Sequence, residues 1–197
     1  MDRIGGFPHR LAVTALLCAA LIGLTASHAR AAGPPKGRSV VGDSIALSAT
    51  DELQHLGYDV NAKVGRQFGQ GAWIVRHEAR RGSLPRRVIV HLGTNGAIEP
   101  DDCDRLIAGA GPVRRVFLVT IKVPRSWEAS NNDTLRACAG RYEKVHVVRW
   151  WSKSHAHPEW FAGDGYHPNA DGQRVFARYV DREVDEVLAA LRSRAPR

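Results

Sequence analysis

Cysteines and long apolar runs are both scarce in this sequence. Three of its 197 residues are cysteines, and the apolar run at residues 11–25 is only about fifteen residues long. A helix needs roughly 20 apolar residues to cross a bilayer, so this run is short for a membrane span. Basic residues precede it and the small-x-small sequence of residues 29–31 follows it, which is typical of a secretory signal peptide. We predict that residues 1–31 are a cleaved signal peptide and residues 32–37 a flexible lead-in, with an uncleaved anchor as the alternative.

Two cysteines, Cys103 and Cys138, remain outside that segment. An even pair in an exported protein favours a single disulfide, because oxidising compartments allow such bonds to persist. Two cysteines without paired histidines nearby do not make a zinc site. We predict a Cys103–Cys138 disulfide that joins the segment after residues 93–95 to the helix around Cys138, and we expect neither a metal nor a cofactor.

Acidic residues are fewer than basic ones, and the chain has a formal net charge of +8. The first 31 residues carry a net +2, which leaves about +6 on the other 166 residues, enough for one well-buried domain. A basic exported protein is attracted to cell-wall polymers, acidic glycans or lipid head groups. A solvated arginine-rich surface is the alternative. Because no basic run has interleaved aromatic residues, nucleic acid is not an expected partner, and we expect a monomer.

Hydrophobic patterns in the rest of the chain alternate between short strands and helices. The nearly continuous apolar segment at residues 87–92 is typical of a strand buried on both faces of a parallel sheet. The predicted strands are residues 39–41, 58–62, 87–92, 116–121 and 145–148, and the predicted helices are residues 44–56, 72–80, 101–110, 131–141 and about 169–191. The alternation predicts an α/β fold, a three-layer α/β/α sandwich around a five-stranded parallel sheet.

Loops and helix caps are predicted from glycine, proline and short polar side chains. Residues 65–71 form a glycine-rich loop, and residues 122–130 and 150–165 form further connections. Asn131 or Asn132 is the predicted N-cap of the fourth helix, and Asn169 or Asp171 opens the last helix, because these side chains accept hydrogen bonds from the N–H groups of a first turn.

Polar residues follow three of the predicted strands, where an ordinary core would not need them. They are Ser44 after the first strand, Asn95 after the third, and Asp164 with His167 after the fifth. The carboxyl ends of parallel strands share one edge of the sheet, where ligands bind in open α/β folds. Serine needs a base to become a good nucleophile, and a histidine such as His167 can serve as that base. Asp164 is three residues away and can hold the imidazole in the correct tautomer.

Three donors are candidates for stabilising an oxyanion at this edge. They are the Asn95 side-chain amide and the backbone N–H groups of Ser44 and Gly65. Each feature has a simpler interpretation when taken alone. Asn95 would cap a turn, Gly65 would be a loop glycine, and residues 164–168 would be a loop tied by an aspartate side-chain turn.

Four short blocks of this sequence resemble those of the SGNH, or GDSL-type, hydrolases. They are residues 42–44 (Gly-Asp-Ser), Gly65, residues 93–95 (Gly-Thr-Asn) and the Asp164-x-x-His167 pair, and the resemblance covers most of residues 38–197. It implies a flavodoxin-like sheet of strand order 2-1-3-4-5. It also implies Ser44 as nucleophile, His167 as base, Asp164 as its orienting partner, and Gly65 and Asn95 in the oxyanion hole. The Gly-x-Ser-x-Gly pattern of ordinary α/β-hydrolases is absent around Ser44.

A narrower resemblance is to the extracellular SGNH domain of peptidoglycan O-acetyltransferases. The matching segments are residues 41–47, 62–67, 91–96 and 123–127. In that family the domain follows a multi-span membrane acyltransferase, which is therefore a possible acyl donor. The resemblance implies a secreted esterase or acyltransferase that acts on O-acetyl groups of cell-wall glycan through an acyl-Ser44 intermediate. A lipid or thioester hydrolase of the same fold and a non-catalytic wall-binding module are the alternatives.

Three further residues are candidate substrate contacts. Arg66 and Gln67 follow Gly65 and would line the acceptor site, a packed loop being the alternative. Trp127 would stack on a sugar ring, although buried aromatic residues are commoner than sugar platforms.

Overall fold

The structure is a computed structural model and describes residues 37–112 and 114–194. The predicted signal peptide at residues 1–31 lies outside the described residues, as does the lead-in up to residue 36. Among the helices of the described part of the chain, none is both long and apolar enough to cross a membrane.

Five parallel strands form a single sheet at the centre of residues 37–194. The strands are β1 (Arg38–Gly42), β2 (Asp59–Ala62), β3 (Arg87–His91), β4 (Arg115–Val119) and β5 (Val145–Val148). Their order is β2-β1-β3-β4-β5, so the predicted order is confirmed. Strand β1 lies inside the sheet. The next strand, β2, pairs with one side of β1, and β3, β4 and β5 then follow on the other side. That reversal leaves the crevice where open α/β folds bind ligands at the carboxyl ends of β1 and β3.

Helices cover both faces of the sheet, as the alternating pattern predicts. They are α1 (Ser44–Ser48), α2 (Thr50–His55), α3 (Phe68–Arg80), α4 (Pro100–Ala110), α5 (Glu128–Arg141), α6 (Trp150–Ser154) and α7 (Ala170–Arg194), with a 3₁₀ turn at Pro158–Trp160. One buried cluster joins the sheet to α1, α2 and α7. The other joins it to α3, α4 and α5. The three-layer prediction is therefore confirmed.

The first predicted helix, residues 44–56, is two short helices that meet at Ala49. The Ser48 hydroxyl donates to the Ile45 carbonyl at 2.8 Å, and the Thr50 hydroxyl donates to the Leu47 carbonyl at 2.7 Å. Such hydroxyl-to-carbonyl bonds compete with the helical backbone pattern. The prediction of one continuous helix was wrong for this reason.

Two predicted loops end earlier than expected, because helices begin within them. Helix α3 starts at Phe68 and is opened by a capping box between Gln67 and Gln70. Helix α5 starts at Glu128. Asn131 and Asn132 are therefore not N-caps but buried residues inside α5. The connection at residues 150–165 also contains α6 and the 3₁₀ turn.

A disulfide joins Cys103 of α4 to Cys138 of α5, as predicted. Both cysteines are fully buried in the cluster beneath these helices. The bond therefore crosslinks two neighbouring elements on one face of the sheet.

Candidate active site

Ser44 is the first residue of α1 and lies directly after β1. Asp43 is the N-cap of this helix, and its carboxylate accepts a hydrogen bond from the Ile45 N–H at 3.1 Å. A Cβ on Gly42 would lie 2.3 Å from the Ala46 Cβ, so only glycine permits this sharp turn from strand to helix. The turn leaves the Ser44 side chain half-buried at the carboxyl edge of the sheet.

The structure brings the three predicted residues Ser44, His167 and Asp164 into one line. His167 Nε2 lies 3.0 Å from Ser44 Oγ, although 123 residues separate the two in the chain. His167 Nδ1 lies 2.6 Å from Asp164 Oδ2. Both distances are within hydrogen-bond reach, which is the geometric requirement for a nucleophile, its base and an orienting carboxylate.

The charge of Asp164 fixes which nitrogen of His167 carries the proton. Burial alone would raise the pKa of Asp164, but hydrogen bonds from the backbone N–H groups of His167 and Tyr166 and from the His167 side chain lower it to about 2. An ionised carboxylate can only accept hydrogen bonds. Nδ1 therefore carries the hydrogen, and Nε2 of the neutral imidazole accepts from the Ser44 hydroxyl.

A tight turn holds Asp164 and His167 in this relation. Gly165 has φ +77°, a left-handed conformation that favours glycine. Asp164 Oδ1 accepts from the N–H groups of Tyr166 at 3.1 Å and His167 at 3.0 Å. Lys122, which follows β4, donates a hydrogen bond from Nζ to the Gly165 carbonyl. The turn is thus fixed both internally and from a neighbouring strand end.

A buried polar cluster lies directly beneath the Ser44 turn. Asp43 is fully buried, and its carboxylate accepts from the Thr94 hydroxyl and lies 3.2 Å from His91 Nδ1. Burial would raise the pKa of Asp43, but the neighbouring His91, the Thr94 hydroxyl and the Ile45 N–H together lower it. The cluster joins the residue before Ser44 to the residue before Asn95.

The three predicted oxyanion-hole donors lie on neighbouring segments, Ser44 at the start of α1 and Gly65 and Asn95 on loops. Ser44 begins α1, so its N–H has no partner within the helix. Gly65 has φ +70°, which favours glycine at this position. The Asn95 side-chain Nδ2 donates weakly to the Arg66 carbonyl at 3.4 Å and to Thr94 Oγ1 at 3.3 Å. This places the Asn95 amide beside the Gly65 loop.

Arg66 differs from its predicted role as a substrate contact. Its side chain is buried, and its guanidinium donates to the Gly42 carbonyl at 3.0 Å, to Asn61 Oδ1 at 2.8 Å and to the Asn61 carbonyl. These acceptors belong to the protein, so the charged group is not free for a substrate. This inward orientation favours the packed-loop alternative for Arg66, and a contact between Arg66 and substrate stays a prediction.

Gln67 and Trp127 are the other two predicted substrate contacts. Gln67 has a side-chain partner within the protein, whereas the buried indole Nε1 of Trp127 has no hydrogen-bond partner among the described residues. Gln67 Nε2 donates to the Asn95 carbonyl at 2.8 Å. Trp127 is half-buried before α5, and its carbonyl accepts from the Asn131 N–H at 2.9 Å. Neither side chain forms a hydrogen bond to Ser44, His167 or Asp164 in the described part of the chain. Their contact with substrate stays a prediction.

Sequence analysis missed Asn131 and Asn132, which hold two of the loops at this edge. Asn131 Oδ1 accepts from the Ile98 N–H at 2.8 Å, and its Nδ2 donates to the carbonyls of Gly93 and Gly96 at 2.9 and 2.8 Å. Asn132 makes the matching pair of bonds with the backbone of Ile121, which follows β4. Two adjacent asparagines were the available signal, but we interpreted them as caps.

Within residues 37–112 and 114–194, no three His, Cys, Asp or Glu side chains are grouped so that they could hold a metal ion.

Known proteins resemble this chain in both sequence and fold. O-acetyltransferase OatA of Staphylococcus aureus is 33% identical over 154 residues, which is 74% of this chain and 24% of that protein. The C-terminal catalytic domain of peptidoglycan O-acetyltransferase A (OatA) from Streptococcus pneumoniae superposes with a TM-score of 0.69 and 23% identity, covering 80% of this chain and 97% of that one. A family 3 carbohydrate esterase of Clostridium thermocellum superposes with a TM-score of 0.65 and 17% identity, covering 80% and 98%.

The chain spans about a quarter of the length of the curated relatives it matches. No protein-family model matches it. The chain nevertheless resembles O-acetyltransferases in sequence and a carbohydrate esterase in fold. Both similarities agree with the four sequence blocks and with the strand order. The chain belongs to the SGNH, or GDSL-type, hydrolase family.

Proposed function

We propose that this protein is a serine esterase or acyltransferase that acts on O-acetyl esters of cell-wall glycan or a related carbohydrate. The observation that carries the proposal is the hydrogen-bonded line from Ser44 Oγ through His167 to Asp164 at the carboxyl edge of the sheet. A weakly nucleophilic hydroxyl with a neutral imidazole and an ionised carboxylate behind it is equipped for acyl transfer.

In the first half-reaction, Ser44 Oγ attacks the ester carbonyl and its proton moves to His167 Nε2. The imidazolium that forms is stabilised by the ionised Asp164 at Nδ1. The carbonyl oxygen becomes an oxyanion, for which the N–H groups of Ser44 and Gly65 and the Asn95 amide are the proposed donors. The intermediate then expels the alcohol, which takes the proton from His167 and leaves an acyl-Ser44 ester.

In the second half-reaction, an acceptor hydroxyl attacks the acyl-Ser44 ester and gives its proton to His167 Nε2. The same oxyanion donors serve again, and Ser44 leaves with the proton from His167. Water as acceptor makes the protein an esterase, and a sugar hydroxyl makes it an acyltransferase. The chemistry at Ser44 is the same in both reactions. Which one occurs depends on whether a sugar hydroxyl or water is held beside the acyl-Ser44 ester.

Several observations favour a carbohydrate ester over other substrates. Relatives carry the names O-acetyltransferase and peptidoglycan O-acetyltransferase, and a structural neighbour is named a carbohydrate esterase. The basic charge of the chain and its predicted signal peptide fit work at an anionic cell envelope. We further propose a membrane acyltransferase as the acyl donor in the transfer reaction.

Hydrolysis of p-nitrophenyl acetate by the purified protein tests the serine mechanism. We expect Ser44→Ala to lower kcat by about 10⁴-fold or more. Ser48→Ala is the matched control, because that serine lies in the same helix and its hydroxyl only contacts the Ile45 carbonyl. Full activity in Ser44→Ala, or failure of a fluorophosphonate probe to label Ser44, would contradict the proposal and favour a non-catalytic wall-binding module.

Products distinguish the remaining alternatives. The protein is incubated with an acetyl ester donor and chitooligosaccharides, and the products are analysed by mass spectrometry. Acetylated oligosaccharide identifies a transferase, whereas free acetate alone identifies an esterase. A preference for long-chain over acetyl esters would instead favour the lipid or thioester hydrolase.

A further inference from the structure

A groove between α3 and α4 lies outside the Ser44 site and carries several cations and an exposed tryptophan. It has a volume of about 600 Å³, and its walls include Trp73, Arg76 and Arg80 of α3 and Arg105 of α4. A second cavity of about 420 Å³ shares Trp73 with it and extends to Lys63. We name the two together the α3–α4 groove.

Trp73 is the feature of this groove that packing does not explain. Its side chain is 54% exposed, although most large apolar side chains of the described chain are buried. The indole is held parallel to the His77 imidazole, with ring centroids 4.9 Å apart and 11° between the planes. One indole face is therefore covered and fixed in orientation, while the rest of the ring lines the groove and is available to a ligand.

The cations of the groove are largely free of protein partners. Arg76 and Arg80 are one turn apart on α3 and form no ion pair with any carboxylate of the described chain. Arg105 is paired with Asp102 at 2.7 Å, yet its side chain is 62% exposed. Guanidinium groups bind carboxylates and phosphates through paired hydrogen bonds, so this face is suited to an anionic ligand.

The backbones of α3 and α4 approach closely at Gly109, and this forms the floor of the groove. A Cβ on Gly109 would lie 3.0 Å from the Arg76 Cβ. The small residues Gly69, Ala72 and Ala108 line the same walls and leave the space open. A depression with a closed floor and open sides accommodates part of a chain, whereas a flat bilayer surface would not fill it.

The second cavity of the groove adjoins the Gly65 loop of the candidate active site. Arg66 lines its second cavity, and the Arg66 carbonyl accepts from the Asn95 amide. The Arg66 guanidinium also bonds the Gly42 carbonyl, two residues before Ser44. A polymer in the groove therefore leads toward the edge of the sheet where Ser44 lies.

We propose that the α3–α4 groove binds an acidic polysaccharide chain. Trp73 packs against the C–H face of a sugar ring, and Arg76, Arg80 and Arg105 pair with carboxylate or phosphate substituents. Binding in the groove does not depend on the proposed function. The further step, in which the bound chain presents its reacting hydroxyl or ester to Ser44, rests on that function.

Binding of the full-length Ser44→Ala protein to two chitin derivatives tests the proposal. Carboxymethyl chitin is the anionic probe and glycol chitin its uncharged counterpart, and isothermal titration calorimetry gives both affinities. We expect Arg76→Glu/Arg80→Glu to weaken binding of carboxymethyl chitin about tenfold and to change glycol chitin binding less than about twofold. Trp73→Ala should weaken binding of both polymers. Raising NaCl from about 50 to about 500 mM should weaken binding of the anionic polymer only.

Control variants separate a specific effect in the groove from a change in overall charge or in folding. Arg192→Glu, at the end of α7, reverses an exposed charge elsewhere and should bind carboxymethyl chitin as the parent does. Circular dichroism checks folding, and Arg76→Gln/Arg80→Gln replaces the double variant if it does not fold. Unchanged affinity in the groove variants, or tighter binding to phosphatidylglycerol vesicles than to carboxymethyl chitin, would overturn the proposal. Absence of p-nitrophenyl acetate hydrolysis in the unsubstituted protein would contradict only the proposed function.

Discussion

Asp164 links the protonation of the candidate site to the stability of the fold. Its hydrogen bonds to His167 and Tyr166 lower its pKa from the ordinary 3.8 to about 2. A carboxylate whose pKa is lower in the folded than in the unfolded state stabilises the fold above its unfolded pKa. This stabilisation is lost as the pH falls through the folded value. Stability from Asp164 is therefore present above about pH 4 and declines toward pH 2.

We predict that Asp164→Asn removes this part of the pH dependence. The free energy of unfolding, measured by urea titration at several pH values, should fall less between about pH 4 and pH 2 in the variant than in the parent, because the amide does not titrate. Asp133→Asn, an exposed carboxylate of α5, is the control. An equally steep fall in Asp164→Asn would show that the turn around Gly165 does not stabilise the ionised form.

At the same scale, the sequence predicted which residues meet but not how each side chain is used. Ser44, Asp164 and His167 were identified because their chemistry has few structural uses at strand ends. Arg66 was predicted to line the acceptor site, with a packed loop as the alternative, and its inward turn depends on acceptors at Gly42 and Asn61. Those acceptors come from other segments of the chain, so no local pattern around Arg66 reveals them.

At the scale of elements, α5 serves as a brace for the loops that follow β3 and β4. Asn131 holds residues 93–98, the loop that carries Asn95, through three hydrogen bonds of 2.8 to 2.9 Å. Asn132 holds Ile121 through two bonds of similar length. Both asparagines are buried, so removing either leaves backbone groups without partners and costs about 1–3 kcal/mol for each such group.

We predict that Asn131→Ala and Asn132→Ala both destabilise the protein by at least about 2 kcal/mol but differ in activity. Asn131→Ala frees the loop of Asn95 and should lower kcat for p-nitrophenyl acetate about tenfold. Asn132→Ala leaves that loop in place and should lower kcat less at a comparable loss of stability. Urea unfolding and initial rates on the two variants measure this. Equal kcat values in both would show that Asn131 has only a structural role.

The sequence located the strands of this sheet well, but it placed the starts of two helices, α3 and α5, too late. Strand β3 is unmistakable because its apolar run is buried on both faces. Helices α3 and α5 begin three or four residues before the predicted positions. Their first turns contain glycine or asparagine, residues of low helical propensity that tertiary contacts keep helical.

At the scale of the whole molecule, the disulfide closes a long segment of chain across one face of the sheet. Cys103 and Cys138 are 35 residues apart, and the loop between them includes β4. Restriction of the unfolded chain by a loop of this length stabilises the fold by about 4 kcal/mol in the chain-entropy view. Cys103 lies on α4 and Cys138 on α5. Neither cysteine belongs to the Ser44–His167–Asp164 set or to the loops that carry Gly65 and Asn95.

We predict that the double variant Cys103→Ala/Cys138→Ala loses about 3–4 kcal/mol in the free energy of unfolding. Its kcat/KM for p-nitrophenyl acetate should remain near that of the parent at temperatures where both are folded. Urea unfolding with and without a reductant gives the matched comparison, because reductant should destabilise the parent and not the variant. A parent that is insensitive to reductant would contradict a stabilising role for the bond.

The sequence by itself determined the family, the fold class, the strand order and the disulfide. The fold class depends on the periodicity of apolar residues and the disulfide on a cysteine count. The family and the strand order come from the resemblance carried by four short sequence blocks, and all of these can be read along the chain. Only the tertiary structure decided the tautomer of His167, the inward turn of Arg66, the bracing by Asn131 and the groove beside Trp73. Each of these depends on which distant backbone and side-chain groups come within a few ångströms of one another. That proximity is set by the packing of helices on the sheet, which no local pattern in the sequence records.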